Sequence, residues 1–96
     1  MINRNTTVRR LDTLVTAPLE KGLAMMSLEE GAYYGLDDIG AVIWELLAEP
    51  TTVADLCAQI QTQYAVSSEH CEADVLEFLT ELQTAGMLQV VDDGTA

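Results

Sequence analysis

Between Leu14 and Leu36 the apolar positions fall into three short runs separated by turn residues. Leu14-Val15-Thr16-Ala17 stops at Pro18 and gives way to Glu20-Lys21-Gly22. Leu23-Ala24-Met25-Met26-Ser27-Leu28 follows, and Glu29-Glu30-Gly31 separates it from Ala32-Tyr33-Tyr34-Gly35-Leu36. Acidic residues with glycine between two apolar runs are a hairpin signal, so the spacing predicts a three-stranded antiparallel meander. The period of two puts Tyr34 and Leu36 on one face and Tyr33 and Gly35 on the other. A sheet this small needs cover on one face.

Beyond Leu36 the period changes to that of a helix. Asp37-Asp38 suits a helix start, where carboxylates accept orphan N–H groups and meet the positive end of the dipole. Ile39, Val42, Ile43, Leu46 and Leu47 make one apolar stripe, and Pro50 closes the segment. Trp44 lies roughly 130° from the stripe's centre and is expected to flank the core rather than fill its middle. Thr52-Val53-Ala54-Asp55 has the shape of a capping box with Asp in place of Glu, and Val53, Leu56, Cys57, Ile60 and Tyr64 carry a second helix. Ser67 or Ser68 caps a third, with a stripe of Cys71, Val75, Phe78, Leu79 and Leu82 and a stop at Gly86. Met87–Val91 is either a last short strand or a tail along the core. Residues 1–12 lack a periodic pattern and are expected as a flexible N-terminal arm, 13–91 as the folded domain, and 92–96 as a disordered tail. The class is α+β, winged-helix-like, a three-stranded antiparallel meander followed by three helices. That likeness is topological and does not fix function.

Charge narrows the partners. The 96 residues carry a net charge of −12, and their four basic residues all lie in the first 21 positions. That stretch holds two acids, for a balance of +2. The remaining fourteen of the sixteen acids face no Lys or Arg, a balance of −14. Phosphate binding needs clustered Lys and Arg, so nucleic acid and anionic membranes are poor partners and a cationic peptide or a basic protein face is a better one. No run reaches the roughly 18–20 apolar residues of a membrane span, and the polar start favours the cytoplasm. Cys57 and Cys71 are then expected as buried thiols.

Catalytic constellations are not visible. His70 and Cys71 are neighbours that point about 100° apart on a helix, not a nucleophile–base pair. Zinc spacings and Gly-rich phosphate loops are missing, so no metal, no cofactor and no enzymatic activity are expected. An acyl carrier would suit the acidity, but no Asp-Ser-Leu attachment site precedes a helix. Two features remain. Asp74, Glu77 and Glu81 recur along one helix edge with no Lys or Arg nearby in sequence; they form either a solvated face or a single-sign field for a cationic partner. The Ala32–Leu36 strand lacks the Lys or Pro that usually blunts a sheet edge. Either another strand of the chain covers it, or it is open for strand addition by a peptide.

The run Gly31-Ala32-Tyr33-Tyr34-Gly35-Leu36-Asp37-Asp38-Ile39-Gly40-Ala41-Val42-Ile43-Trp44-Glu45-Leu46-Leu47 resembles the core signature of PqqD-like proteins. The likeness continues through Thr51–Leu56 and Tyr64 to Cys71-Glu72-Ala73-Asp74-Val75-Leu76-Glu77-Phe78-Leu79, Leu82 and Gly86-Met87-Leu88. Tryptophan after Gly-Ala-Val-Ile and the Cys-x-x-Asp-Val run are most similar to the standalone leader-binding proteins, or recognition elements, of split lasso-peptide systems. Asp38 departs from the pattern, which often has a neutral residue there. The resemblance implies a module that binds the leader of a ribosomally made precursor as an extra antiparallel strand, between the third strand and the third helix. It further implies presentation to a separate cysteine protease, the leader peptidase, and onward passage to an ATP-dependent cyclase. Mapped onto this chain, the pairing edge is Ala32, Tyr33, Tyr34, Gly35 and Leu36. Apolar pocket candidates are Met25, Leu28, Tyr33, Tyr34, Val75, Phe78 and Leu79, with Trp44 in either groove or core, and Asp74, Glu77 and Glu81 meet basic leader residues at the rim. The competing reading is an adaptor that docks on a biosynthetic enzyme without touching the leader.

Overall fold

The computed structural model describes residues 2–11, 14–28 and 31–92; the acidic pair Glu29-Glu30 of the second expected turn and the tail 93–96 lie outside them. The element order is β1 (Thr7–Arg10), β2 (Leu14–Pro18), β3 (Leu23–Ser27), β4 (Ala32–Leu36), α1 (Asp38–Leu46), β5 (Thr51–Thr52), α2 (Val53–Gln63), α3 (Ser68–Thr84) and β6 (Leu88–Asp92). Strands β2, β3 and β4 form the expected antiparallel meander in that spatial order, with Met25 opposite both Thr16 and Tyr34. At the β2–β3 turn Gly22 has φ +105°, and a Cβ there would run into the Leu36 carbonyl oxygen. Only glycine fits.

The helices begin where the sequence places them. Asp37 Oδ1 accepts from the Gly40 amide at 2.7 Å, Thr52 Oγ1 from Asp55 at 3.1 Å, and Ser67 Oγ from His70 at 3.2 Å. Each bond satisfies one of the orphan donors of a first turn. Helix α3 ends in a Schellman motif: Met87 donates to the Leu82 carbonyl and Gly86, at φ +75°, to that of Gln83. Met87 and Leu82 are both buried, which adds the apolar contact usual for this cap. The core runs between the meander, the helices and a second sheet, through Val8, Met25, Leu47, Val53, Leu56, Ile60, Val75, Leu79 and Leu82.

Two expectations need correction. Residues 7–10 are not part of a flexible arm. β1 pairs with β6 along Val8–Arg10 and with the two-residue β5, making a second sheet of order β5-β1-β6. Val8 is fully buried in the core and Thr6 is 1% exposed, while the Arg10 amide donates to the Leu47 carbonyl and the Leu11 amide to that of Met87. Apolar burial and paired amides outweigh the polar look of the segment. The second correction is Trp44, which is 3% exposed and lies inside the core. The buried face of α1 is Gly40, Ile43, Trp44 and Leu47, turned roughly 80° from the stripe counted in sequence, at about 100° per residue. Gly40 offers no side chain to count, and its bare surface lets Leu36 pack close to the helix. Arg10 closes over the tryptophan, its guanidinium carbon 5.5 Å from the ring centroid and its Nη1 donating to the Trp44 carbonyl.

A candidate peptide-binding groove

Because the meander has the order β2-β3-β4, one side of β4 pairs with β3 and the other has no strand beside it among the described residues. In an antiparallel strand alternate residues turn their N–H and C=O groups to opposite sides. Part of the Ala32–Leu36 backbone therefore points outward, available to a further strand. Ala32, Tyr34 and Leu36 are half-buried toward the core, and Tyr33 and Gly35 face solvent, as the alternation predicts.

At Leu36 the strand passes through Asp37 directly into α1, and there a groove of about 320 Å³ opens. Its α1 wall is Ile39, Gly40 and Ile43, and Leu36 packs against this wall at Gly40. The facing wall is Val75 and Phe78 of α3, and Ile60, Val66 and Cys71 line it further. Asp37, Asp74, Glu77 and Glu81 complete the lining. The result is an apolar slot with carboxylates around it. His70 stands 3.6 Å from Asp74, an i,i+4 pair with both side chains well exposed. Among the described residues Glu77 and Glu81 have no ion-pair partner. A single-sign rim of this kind attracts a cationic guest and speeds its encounter.

The α3 residues singled out in sequence thus come together: Asp74, Val75, Glu77, Phe78 and Glu81 all line the groove, and of the Ala32–Leu36 strand the last residue, Leu36, packs against Gly40 of its α1 wall. Others do not. Met25 (1% exposed), Leu79 (fully buried) and Trp44 are core residues and do not line the groove. Leu28 is exposed at the turn after β3, and Tyr33 is 78% exposed on the outer face of the sheet. The α1 wall was missed. Ile39 falls near the centre of the stripe counted in sequence, but it lies roughly 90° from the centre of the buried face, at about 100° per residue, and is 36% exposed, a shoulder position lining the slot.

The arrangement can dock an extended chain; it has little to offer a reacting one. Burial, then the neighbouring Cys71 side chain, pushes the Cys57 thiol up to about 12, so it stays protonated and unreactive near neutrality. Both cysteines are free and buried. Among the described residues no cluster of three or more His, Cys, Asp or Glu side chains could hold a metal ion, and no helix is long and apolar enough to cross a membrane.

Comparison with known proteins gives concordant matches. The family pattern described as coenzyme PQQ synthesis protein D (PqqD) matches residues 22–88. The structure of TbiB1 in complex with the TbiA(beta) leader peptide is 30% identical with a TM-score of 0.76, covering 92% of this chain and 98% of that one. The lasso peptide synthetase B1 complexed with the leader peptide is similar in fold, at 24% identity and a TM-score of 0.75, over 85% of this chain and 96% of its own. No curated protein matches the chain significantly.

Proposed function

The chain belongs to the PqqD family, whose pattern spans 22–88 of its 96 residues, and from that premise we propose that it binds the leader segment of a ribosomally made precursor, a lasso-peptide precursor, as a fourth strand on β4. The observation that carries the proposal is that β4, paired with β3 on one side, has no strand on its other side among the described residues and leads into an apolar, acid-rimmed slot. Backbone hydrogen bonds along Ala32–Leu36 would give general affinity. Side chains of the guest seated against Ile39, Ile43, Val75 and Phe78 would give selectivity. Most of the affinity comes from desolvated apolar anchors, and the carboxylates of Asp74, Glu77 and Glu81 add encounter rate and salt sensitivity. The similarity to structures holding leader peptides supports the same reading.

On this proposal the protein is a carrier that does no bond chemistry. It holds the precursor for a cysteine-type leader peptidase, which removes the leader, and an ATP-dependent cyclase acts on the freed core. Acting on a new ribosomal product puts this step in the cytoplasm. The binding unit includes β1, whose burial of Val8 ties the N-terminal segment to the helices that form the groove. Titrating a synthetic leader into isotope-labelled protein tests the proposal. Shifts should concentrate at residues 32–36 and along the groove face of α3. An unperturbed spectrum, with enzyme binding retained, would instead indicate an adaptor that ignores the leader.

A further inference from the structure

The chain has two cysteines, and the fold brings them together. Cys57 on α2 and Cys71 on α3 stand 14 residues apart in sequence. Both are free, and the Cys57 thiol is hydrogen-bonded to the Cys71 side chain. Cys71 Sγ also donates to the Cys57 carbonyl oxygen at 4.0 Å. Cys71 is 4% exposed and lines the groove, one helical turn before Val75. Cys57 is 7% exposed and lies outside that lining, one turn before Ile60, which belongs to it. Arg4, whose carbonyl accepts from the Ala54 amide at the start of α2, brings a positive charge near Cys57. Core packing alone asks only for two small apolar groups at these positions. Two touching thiols offer a covalent bond as well.

We propose that Cys57 and Cys71 are a redox switch on the groove: a peroxide joins them in a reversible disulfide, and the oxidised module binds leader more weakly. The inference rests on leader binding in the groove. Cys71, reached along the groove, attacks one peroxide oxygen. The O–O bond breaks, the sulfur becomes a sulfenic acid, and the thiol proton leaves with the other oxygen as water. The Cys57 sulfur then attacks that of Cys71, the S–O bond breaks, and the hydroxyl departs with the Cys57 proton as a second water. Two thiols lose two electrons in all, and one peroxide becomes two waters. Burial and the Cys71 contact hold the proton on Cys57 near neutrality, and the Arg4 charge works the other way. Cys57 therefore does not start the reaction, and its contact with Cys71 gives the closing step the advantage of proximity. The new bond brings the sulfurs to about 2.05 Å, which draws α2 and α3 together where Ile60 and Val75 line the slot. A slot narrowed there no longer fits the same guest. The coupling is reciprocal: a seated leader favours the reduced pair by the factor that the disulfide costs in binding. In a reducing compartment such a bond is transient and reports oxidation.

The test uses the full-length protein, hydrogen peroxide, a dithiol reductant and a fluorescently labelled synthetic leader peptide. Cys57→Ala is the variant, since it keeps Cys71 on the groove wall. Peroxide should remove two hydrogens from the intact mass of wild type, and the reductant should restore them. Closing the loop between the cysteines should raise Tm by at least about 8 °C. Fluorescence anisotropy should show leader binding about tenfold weaker in the disulfide form, recovered on reduction. In a redox titration, leader saturating both forms should shift the thiol–disulfide midpoint by about 30 mV in favour of the reduced pair, the same tenfold. Cys57→Ala should bind leader as reduced wild type does, and keep that affinity through a peroxide treatment that closes the wild-type pair. Oxygen addition without a disulfide, or equal leader affinity in the two forms, would overturn the inference. So would an equal loss of affinity in Cys57→Ala, since oxidation of Cys71 alone would then account for it. No leader binding by reduced wild type would instead remove the proposed function, and this control with it.

Discussion

Phe78→Ala separates apolar docking from charge in the groove. Phe78 is half-buried on the slot wall, so part of its ring is left for a guest to cover. An aromatic side chain buries about 150–250 Å² in all, which leaves roughly 100 Å² for the complex. At about 25 cal/mol per Å² that is about 2.5 kcal/mol, or roughly 60-fold in Kd. Truncation also costs folding stability, about 2 kcal/mol for a half-buried ring against 3–5 for a fully buried one. A domain with the usual 5–15 kcal/mol stays folded. Glu77→Gln, by contrast, removes one exposed rim charge and should weaken binding no more than about fivefold, an effect that shrinks with added salt. Fluorescence anisotropy of a labelled leader at low and high salt measures both variants, with urea unfolding as the control. A larger loss for Glu77→Gln than for Phe78→Ala, persisting at high salt, would refute the assignment of affinity to apolar contact.

Three further outcomes follow from the fold. Gly22→Ala must hold φ +105° and push a Cβ into the Leu36 carbonyl; it should lose about 2 kcal/mol or more, seen as a fall in Tm of roughly 8 °C or more. Ser67→Ala leaves the His70 amide at the start of α3 without its cap and should cost about 1 kcal/mol in urea unfolding. Cys57 has its thiol raised from 9.0 to about 12 in the folded state. The folded form holds that proton where the unfolded chain releases it, so this contribution is complete below pH 9 and fades between about 9 and 12. Unfolding free energies across that range should therefore fall in wild type and fall less steeply in Cys57→Ala.

The parts of the fold that were legible in sequence are those where one period dominates locally. The meander and the three helices follow from alternation, stripes and caps, and the Asp37, Thr52 and Ser67 side chains accept the bonds their positions imply. What escaped depends on contacts distant in sequence. β1 has Val8 as its one apolar residue between Thr7 and the two arginines, and its strand character comes from β6, some eighty residues on. Trp44 was displaced from the core by counting side chains, because Gly40 contributes to the buried face of α1 without adding hydrophobicity. The same rotation hid the α1 wall of the groove, since residues read as the centre of the stripe are partly its exposed shoulder. The α3 wall was readable because its acids and apolar residues sit side by side on one long helix.

Strand addition on β4 can be observed directly by amide hydrogen exchange on the labelled protein, with and without leader peptide. Pairing should slow exchange at alternate residues of Ala32–Leu36, those directed away from β3, while the amides already bonded to β3 change little. Slowing confined to the helices, or none along β4 at leader saturation, would contradict the account.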